Sequence, residues 1–125
     1  MNSRQGYYVK IDTKKRTIEV LQVPSRFNFK AMLREQLGLW AEQVTNVHGD
    51  KIAVVWDNSI KENYQTLKSP NTSEEMFGKV FLIKKSGDAY IIASKEIAEE
   101  VKNLWEQTLF SLKDQDKEEE QDKNK

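Results

Sequence analysis

Three side chains near the middle of the chain are of the types that carry acid–base chemistry. His48 and Asp50 flank Gly49, and Asp57 follows seven residues after Asp50. A histidine within reach of a carboxylate can act as a general base near neutral pH. His-Gly-Asp is also a frequent polar turn, because Gly and Asp favour turns, and we prefer this interpretation. No serine lies in a Gly-x-Ser-x-Gly nucleophile motif. We therefore expect no catalytic site and a protein that is not an enzyme.

The composition excludes several other kinds of chemistry. The chain has no Cys and one His. Thiol catalysis, disulfides and Cys-based zinc sites are therefore excluded, and a His-rich metal site is not expected. Its five Gly form neither a Gly-x-Gly-x-x-Gly pattern nor a phosphate-binding loop. We expect neither a metal nor a cofactor.

A long polar segment, residues 57–78, separates the apolar runs 52–56 and 80–83. A connection of about twenty residues is uncommon in a compact domain and is usually functional or disordered. Amides and hydroxyls of this kind orient a ligand or a peptide partner. A protein partner and a mobile surface without one are equal alternatives here. The candidate partner-binding residues are Asp57, Asn58, Asn63, Tyr64, Asn71 and Gly78.

The first third of the chain is basic. Residues 1–34 hold eight Lys or Arg against two acidic side chains, although the whole chain has a formal net charge of zero. Cations that could contact phosphates are Lys14, Lys15, Arg16, Arg26, Lys30 and Arg34, with Tyr7, Tyr8 and Phe27 as stacking surface. The alternative is a solvated face balanced by acids elsewhere, and this alternative carries more weight. Nucleic-acid binding is the second functional hypothesis.

Periodicity predicts the elements that must position these side chains. Strands are expected at 7–12, 17–23, 43–47, 51–56, 79–84 and 89–93. Helices are expected from Phe27 to Gly38, capped by Ser25 or Asn28, and from Ser94 to Leu112. This order, β-β-α-β-β-β-β-α, predicts an α+β fold: a largely antiparallel sheet of about six strands, with two helices mainly on one face. Residues 1–113 should form a single domain and residues 114–125 a disordered charged tail.

The apolar pattern of the strands bears on oligomeric state. Runs 52–56 and 80–83 are apolar at consecutive positions, which indicates cover on both faces of the sheet. Two helices on one face leave the other to the 57–78 segment or to a second subunit, and we favour a homodimer. No apolar run approaches the roughly 18 residues of a membrane span. The N-terminus lacks the apolar core of a secretory signal. We expect a cytoplasmic protein without membrane contact.

Several short motifs occur in a recognisable order. They are Leu37-Gly38, the run Ile52-Ala53-Val54-Val55-Trp56-Asp57-Asn58, Pro70-Asn71, Gly78-x-Val80-Phe81-Leu82-Ile83 and Ser94-x-Glu96. Over about residues 7–105 this order resembles an uncharacterised family, domain of unknown function 3846. Those small proteins occur in phages, plasmids and other bacterial mobile elements, often near antirestriction genes. The resemblance implies a mobile-element setting and carries over Asn71 and Gly78. We expect a binding protein that regulates or inhibits a host defence factor.

Overall fold

The structure, a computed structural model, describes residues 5–57, 67–68, 75–76 and 78–107 of the 125-residue chain. The elements in chain order are β1 (Gln5–Asp12), β2 (Thr17–Pro24), α1 (Phe29–Gln36), β3 (Trp40–Val47), β4 (Asp50–Asp57), β5 (Leu67–Lys68), β6 (Glu75–Met76), β7 (Lys79–Ser86), β8 (Ala89–Ile91) and α2 (residues 95–107). Apart from the short pair β5 and β6, this is the predicted order. The α+β class and the antiparallel sheet of six strands are confirmed.

The sheet joins two hairpins through a strand that comes late in the chain. Its order is β2-β1-β7-β4-β3, with β8 beside the second half of β7, and every pairing is antiparallel. In β7, Val80 lies opposite both Ile11 of β1 and Trp56 of β4. The two outer strands of the sheet are therefore β2 and β3.

Turn chemistry explains the two outer hairpins. His48 and Gly49 link β3 to β4 with φ angles of 52° and 88°. Positive φ at both central residues defines a type I′ turn, whose twist matches that of the strands, and Gly adopts such a φ without steric cost. In the β1–β2 turn, Asp12 Oδ1 accepts hydrogen bonds from the backbone N–H groups of Lys14 and Lys15, each at 3.1 Å. Both predicted hairpins are thus fixed by local sequence.

Helix α1 covers one face of the sheet. Asn28 is its N-cap, with Oδ1 accepting from the backbone N–H of Ala31 at 3.0 Å, so Asn28 rather than Ser25 is the cap. Phe29 and Leu33 are buried, as is Leu37 just beyond the helix. They share a core with side chains from the sheet: Tyr8, Val23, Ala53, Val55, Phe81 and Ile83.

Helix α2 covers the opposite face. Ser94 begins it, as predicted, with its Oγ accepting from the backbone N–H of Ile97 at 3.2 Å. Ala98, Val101 and Trp105 are spaced by three and four residues and are buried. They pack with the other side chains of the sheet: Val9, Ile11, Val47, Ile52, Val54, Trp56, Val80 and Leu82.

The prediction that both helices lie mainly on one face is therefore wrong. Successive side chains of a strand point to opposite faces. In β4, Ile52 and Val54 contact the α2 side, whereas Ala53 and Val55 contact the α1 side. Each apolar face needs its own cover, and each receives one helix. Because neither face is left open, no second subunit is needed to cover one.

The end of β8 approaches β1 so closely that a side chain is excluded. Tyr7 and Ala93 exchange backbone hydrogen bonds of 3.0 and 3.2 Å. Next to this bridge, a Cβ on Gly6 would lie only 2.0 Å from Cβ of Ile92. Gly6 is therefore required by the close approach of the Ile92 side chain.

The predictions for the C-terminal end remain predictions. The apolar stripe to Leu112 and the tail 114–125 concern residues beyond the described ranges. Within those ranges, no helix has the length and apolar character needed to cross a membrane.

Candidate functional site

The three candidate acid–base residues are not brought together. His48 and Asp50 lie at the turn end of β4, and Asp57 lies at its other end, roughly 24 Å away for an eight-residue strand. His48 Nε2 is instead 3.6 Å from Glu100 Oε2 of α2. Asp50 Oδ1 is 3.4 Å from Lys84 Nζ. These contacts support the interpretation of His-Gly-Asp as a polar turn.

Asp57 fixes the start of the 57–78 segment. It is the last residue of β4 and is buried, with 7% of its surface exposed. Its Oδ2 accepts a hydrogen bond of 3.1 Å from the backbone N–H of Gly38, just after α1. A carboxylate in this position joins α1 to β4, so Asp57 positions the segment rather than presenting a surface to a partner.

Gly78 fixes the other end of the segment. Its carbonyl oxygen accepts two hydrogen bonds from Thr13, one from the backbone N–H at 3.0 Å and one from Oγ1 at 2.9 Å. Thr13 is itself buried and lies at the start of the β1–β2 turn. The 57–78 segment therefore leaves and rejoins the sheet at two fixed points.

The segment also has structure of its own, contrary to expectation. Strands β5 and β6 pair antiparallel, with Leu67 opposite Met76. Met76 has no exposed surface and belongs to the core on the α2 side. The polar composition of the segment gave no sign that Met76 is buried in the core. The other candidate partner-binding residues, Asn58, Asn63, Tyr64 and Asn71, lie outside the described residues.

The six candidate cations do not form one basic face. Lys14, Lys15 and Arg16 occupy the β1–β2 turn, and Arg26 follows the far end of β2. An eight-residue strand places these two groups roughly 24 Å apart. Lys30 lies in the first turn of α1, near Arg26, whereas Arg34 is exposed in the last turn. These six cations are thus divided between two separate regions.

The aromatic side chains that were candidates for stacking on bases pack within the protein. The Tyr8 ring stacks on Phe27 with centroids 6.4 Å apart and meets Phe29 edge-on at 5.6 Å. Only 7% of Tyr8 is exposed. Tyr7 packs against the core on the opposite face of the sheet. Tyr7 and Tyr8 therefore cannot belong to one stacking surface for bases, because neighbouring strand residues point to opposite faces.

Two shallow clefts flank the β7–β8 turn. One, of about 620 Å³, lies at the start of α1 and is lined by Arg26, Lys30, Asp88 and Tyr90 among others. The second, of about 420 Å³, is lined by Lys51, Lys84 and Lys85, among others. Both are open to solvent, and charged side chains contribute to each lining.

A polar cluster on the α1 side was missed by sequence reasoning. Lys85 Nζ is 2.6 Å from Glu42 Oε2, and the Tyr90 hydroxyl donates to Oε1 of the same carboxylate. Desolvation raises the pKa of Glu42, but the hydrogen bonds from Lys85 and Tyr90 outweigh it and lower that pKa overall. Burial and the bond to Glu42 raise the pKa of Tyr90. Separations of 43 and 48 residues leave no local signal for this cluster.

Within the described ranges, no group of three or more His, Asp or Glu side chains is placed to hold a metal ion. Comparisons of the chain with protein-family models, with curated proteins and with solved structures find no match. The fold defines a three-layer α+β domain, one helix on each face of an antiparallel sheet. The 57–78 segment is tied to this sheet at Asp57 and at Gly78.

Proposed function

We propose that this chain is a non-enzymatic binding protein of a phage or other mobile genetic element. It acts in the bacterial cytoplasm and binds a protein partner, a host defence factor that it regulates or inhibits. The contact residues are Asn58, Asn63, Tyr64 and Asn71 of the 57–78 segment. The mobile-element setting is the one implied by the family resemblance, and the binding role rests on the segment itself.

One observation carries the binding role: both ends of the segment are anchored. Asp57 is held through Gly38, Gly78 is held through Thr13, and Met76 is buried. A polar connection fixed to a rigid sheet is a common way to build a recognition surface, since loops carry contacts and the scaffold orders them. Preordered ends also reduce the conformational entropy lost on binding.

Capture of a partner tests this proposal. The tagged protein is incubated with lysate of a bacterial host, and the captured protein is identified and then titrated as a purified component. A variant with Ala at Asn58, Asn63, Tyr64 and Asn71 should lose at least tenfold in affinity for that partner, because amide and aromatic contacts provide both orientation and contact area. The matched control replaces Lys14, Lys15 and Arg16 by Ala, and it should bind as the unmodified protein does.

The opposite pattern would overturn the proposal. Full affinity in the quadruple variant, with native circular dichroism, would exclude the 57–78 segment as the binding surface. Loss of binding only in the Lys14, Lys15 and Arg16 variant would move the site to the β1–β2 turn.

The β1–β2 turn favours a second candidate function, nucleic-acid binding. Lys14 and Lys15 are exposed there, and Asp12 holds the turn that presents them. Three adjacent cations at a hairpin tip can reach the backbone phosphates of a duplex or a single strand. Arg26 and Lys30, at the far end of β2, would have to contact a different stretch of the same strand.

Salt dependence tests this second candidate. Each neutralised phosphate of duplex DNA contributes about −0.9 to the slope of log K against log salt. Replacing Lys14, Lys15 and Arg16 by Ala should therefore reduce the slope by up to about 2.7. Gel shifts with short single- and double-stranded oligonucleotides provide the measurement. No shift at low salt would remove this candidate.

A further inference from the structure

The outer strand β3 turns a row of backbone groups away from the protein. It is one end of the sheet, and its only strand neighbour in the described part of the chain is β4. In the type I′ hairpin, Val47 and Asp50 close the turn and are hydrogen-bonded to each other. Bonded and non-bonded pairs alternate along an antiparallel ladder. The N–H and C=O groups of Glu42, Val44 and Asn46 therefore point outward, where another strand can bond them.

This edge lacks the features that normally prevent pairing. Proteins protect outer strands with Lys, Pro or bulges. No Lys, Pro or Gly occurs from Trp40 to Val47. Glu42 is the single charged residue of β3, and its carboxylate is bound by Lys85 and Tyr90 of its own chain. The other outer strand, β2, ends in Pro24, which has no N–H to donate.

Exposed apolar side chains are concentrated at the same edge. Among the described residues, the large hydrophobic side chains that are exposed are Leu39, at 72%, and Val44, at 47%. Val44 lies in the middle of β3, and Leu39 immediately precedes this strand. Such side chains at an unprotected edge are typical of a surface that another strand covers.

We propose that β3 pairs antiparallel with β3 of a second copy of this chain, which continues the sheet across a two-fold axis. The strand is self-complementary in the register that places Val44 opposite Val44 of the second copy. In that register Glu42 faces Asn46, so no like charges meet, and the outward backbone groups of the two strands face each other. The formal net charge of zero adds no overall repulsion between copies. This contact is distinct from the proposed recognition by the 57–78 segment.

Sedimentation equilibrium of the full chain tests the dimer. We expect a concentration-dependent species of twice the 14.6 kDa chain mass. Val44→Lys places two ammonium groups opposite each other at the axis and should raise the dissociation constant at least tenfold. Thr17→Lys, which adds the same charge to the exposed start of β2, is the matched control and should leave the constant unchanged. A monomer at every concentration, or equal dimers from both variants, would overturn the proposal.

Hydrogen exchange of the unmodified protein provides an independent measurement. The amides of Glu42, Val44 and Asn46 should exchange slowly above the dissociation constant and rapidly below it, because only the second copy bonds them. Slow exchange in the dilute monomer would mean that the same chain covers its own edge, and this result would also overturn the proposal. Neither experiment involves the partner of the 57–78 segment, so this inference and the proposed function can fail separately.

Discussion

Replacement of Gly6 tests the close approach of β1 to the chain just after β8. A Cβ at this position would lie 2.0 Å from Cβ of Ile92 and 2.4 and 2.8 Å from its Cγ2 and Cγ1. Carbon atoms in contact need about 3.5–4.0 Å. The two backbones must therefore separate by roughly 1.5 Å, because neither Cβ can move by side-chain rotation. That separation would strain the bridge between Tyr7 and Ala93.

We expect Gly6→Ala to lower the free energy of unfolding by about 3 kcal/mol or more. Overpacking of a well-filled site costs about 1–3 kcal/mol, and here the clash involves backbone-fixed atoms, which puts the loss at or above that range. Urea unfolding followed by tryptophan fluorescence measures it, since the chain has three Trp.

Two second-site variants isolate the cause. Ile92→Ala retains the Cβ that lies 2.0 Å away, so it should not rescue Gly6→Ala. Ile92→Gly removes that atom. By itself Ile92→Gly should cost about 2 kcal/mol for lost burial and a weakened strand. Combined with Gly6→Ala, it should give a protein more stable than Gly6→Ala alone. Simple addition of the two losses, or equal rescue by Ile92→Ala, would refute the argument.

Four further substitutions test other contacts, each by urea unfolding. Asp57→Ala should cost about 1.5–3 kcal/mol, because it removes a charged acceptor from the Gly38 N–H. Met76→Ala should cost about 2–5 kcal/mol, the range for a buried Met. Asn28→Ala, which removes the cap of α1, should cost about 1 kcal/mol. The pKa of Glu42 is lowered from its ordinary 4.5, so the stability it contributes is complete above that pH and lost as the pH falls through the folded value. Glu42→Gln should therefore flatten the acid limb of the stability profile.

Local signals predicted much of the fold. His48-Gly49-Asp50 marked the second hairpin, and Ser94 marked the start of α2, because turns and caps depend on a few adjacent residues. The alternation of strands also fixed which residues of β4 face opposite sides of the sheet. The pattern correctly indicated two covered faces, but the prediction placed both helices on one of them, whereas each face receives one.

Contacts between distant residues were beyond sequence reasoning. The position of β7 between β1 and β4 depends on pairings across about 70 residues, such as Ile11 with Val80. Met76 lies within a predominantly polar segment, yet it is fully buried. The candidate acid–base set is separated for a local reason instead, since the extended strand β4 places Asp50 and Asp57 at its opposite ends.

The late arrival of β7 has a consequence for synthesis on the ribosome. The β1–β2 and β3–β4 hairpins emerge first, each able to close locally, but their apolar inner edges have no neighbour until residues 79–86 are made. A nascent chain that stops before Lys79 holds two halves with nothing to join them. Such intermediates are prone to aggregate, so we expect this protein to fold after translation, slowly for its size, and to benefit from chaperones.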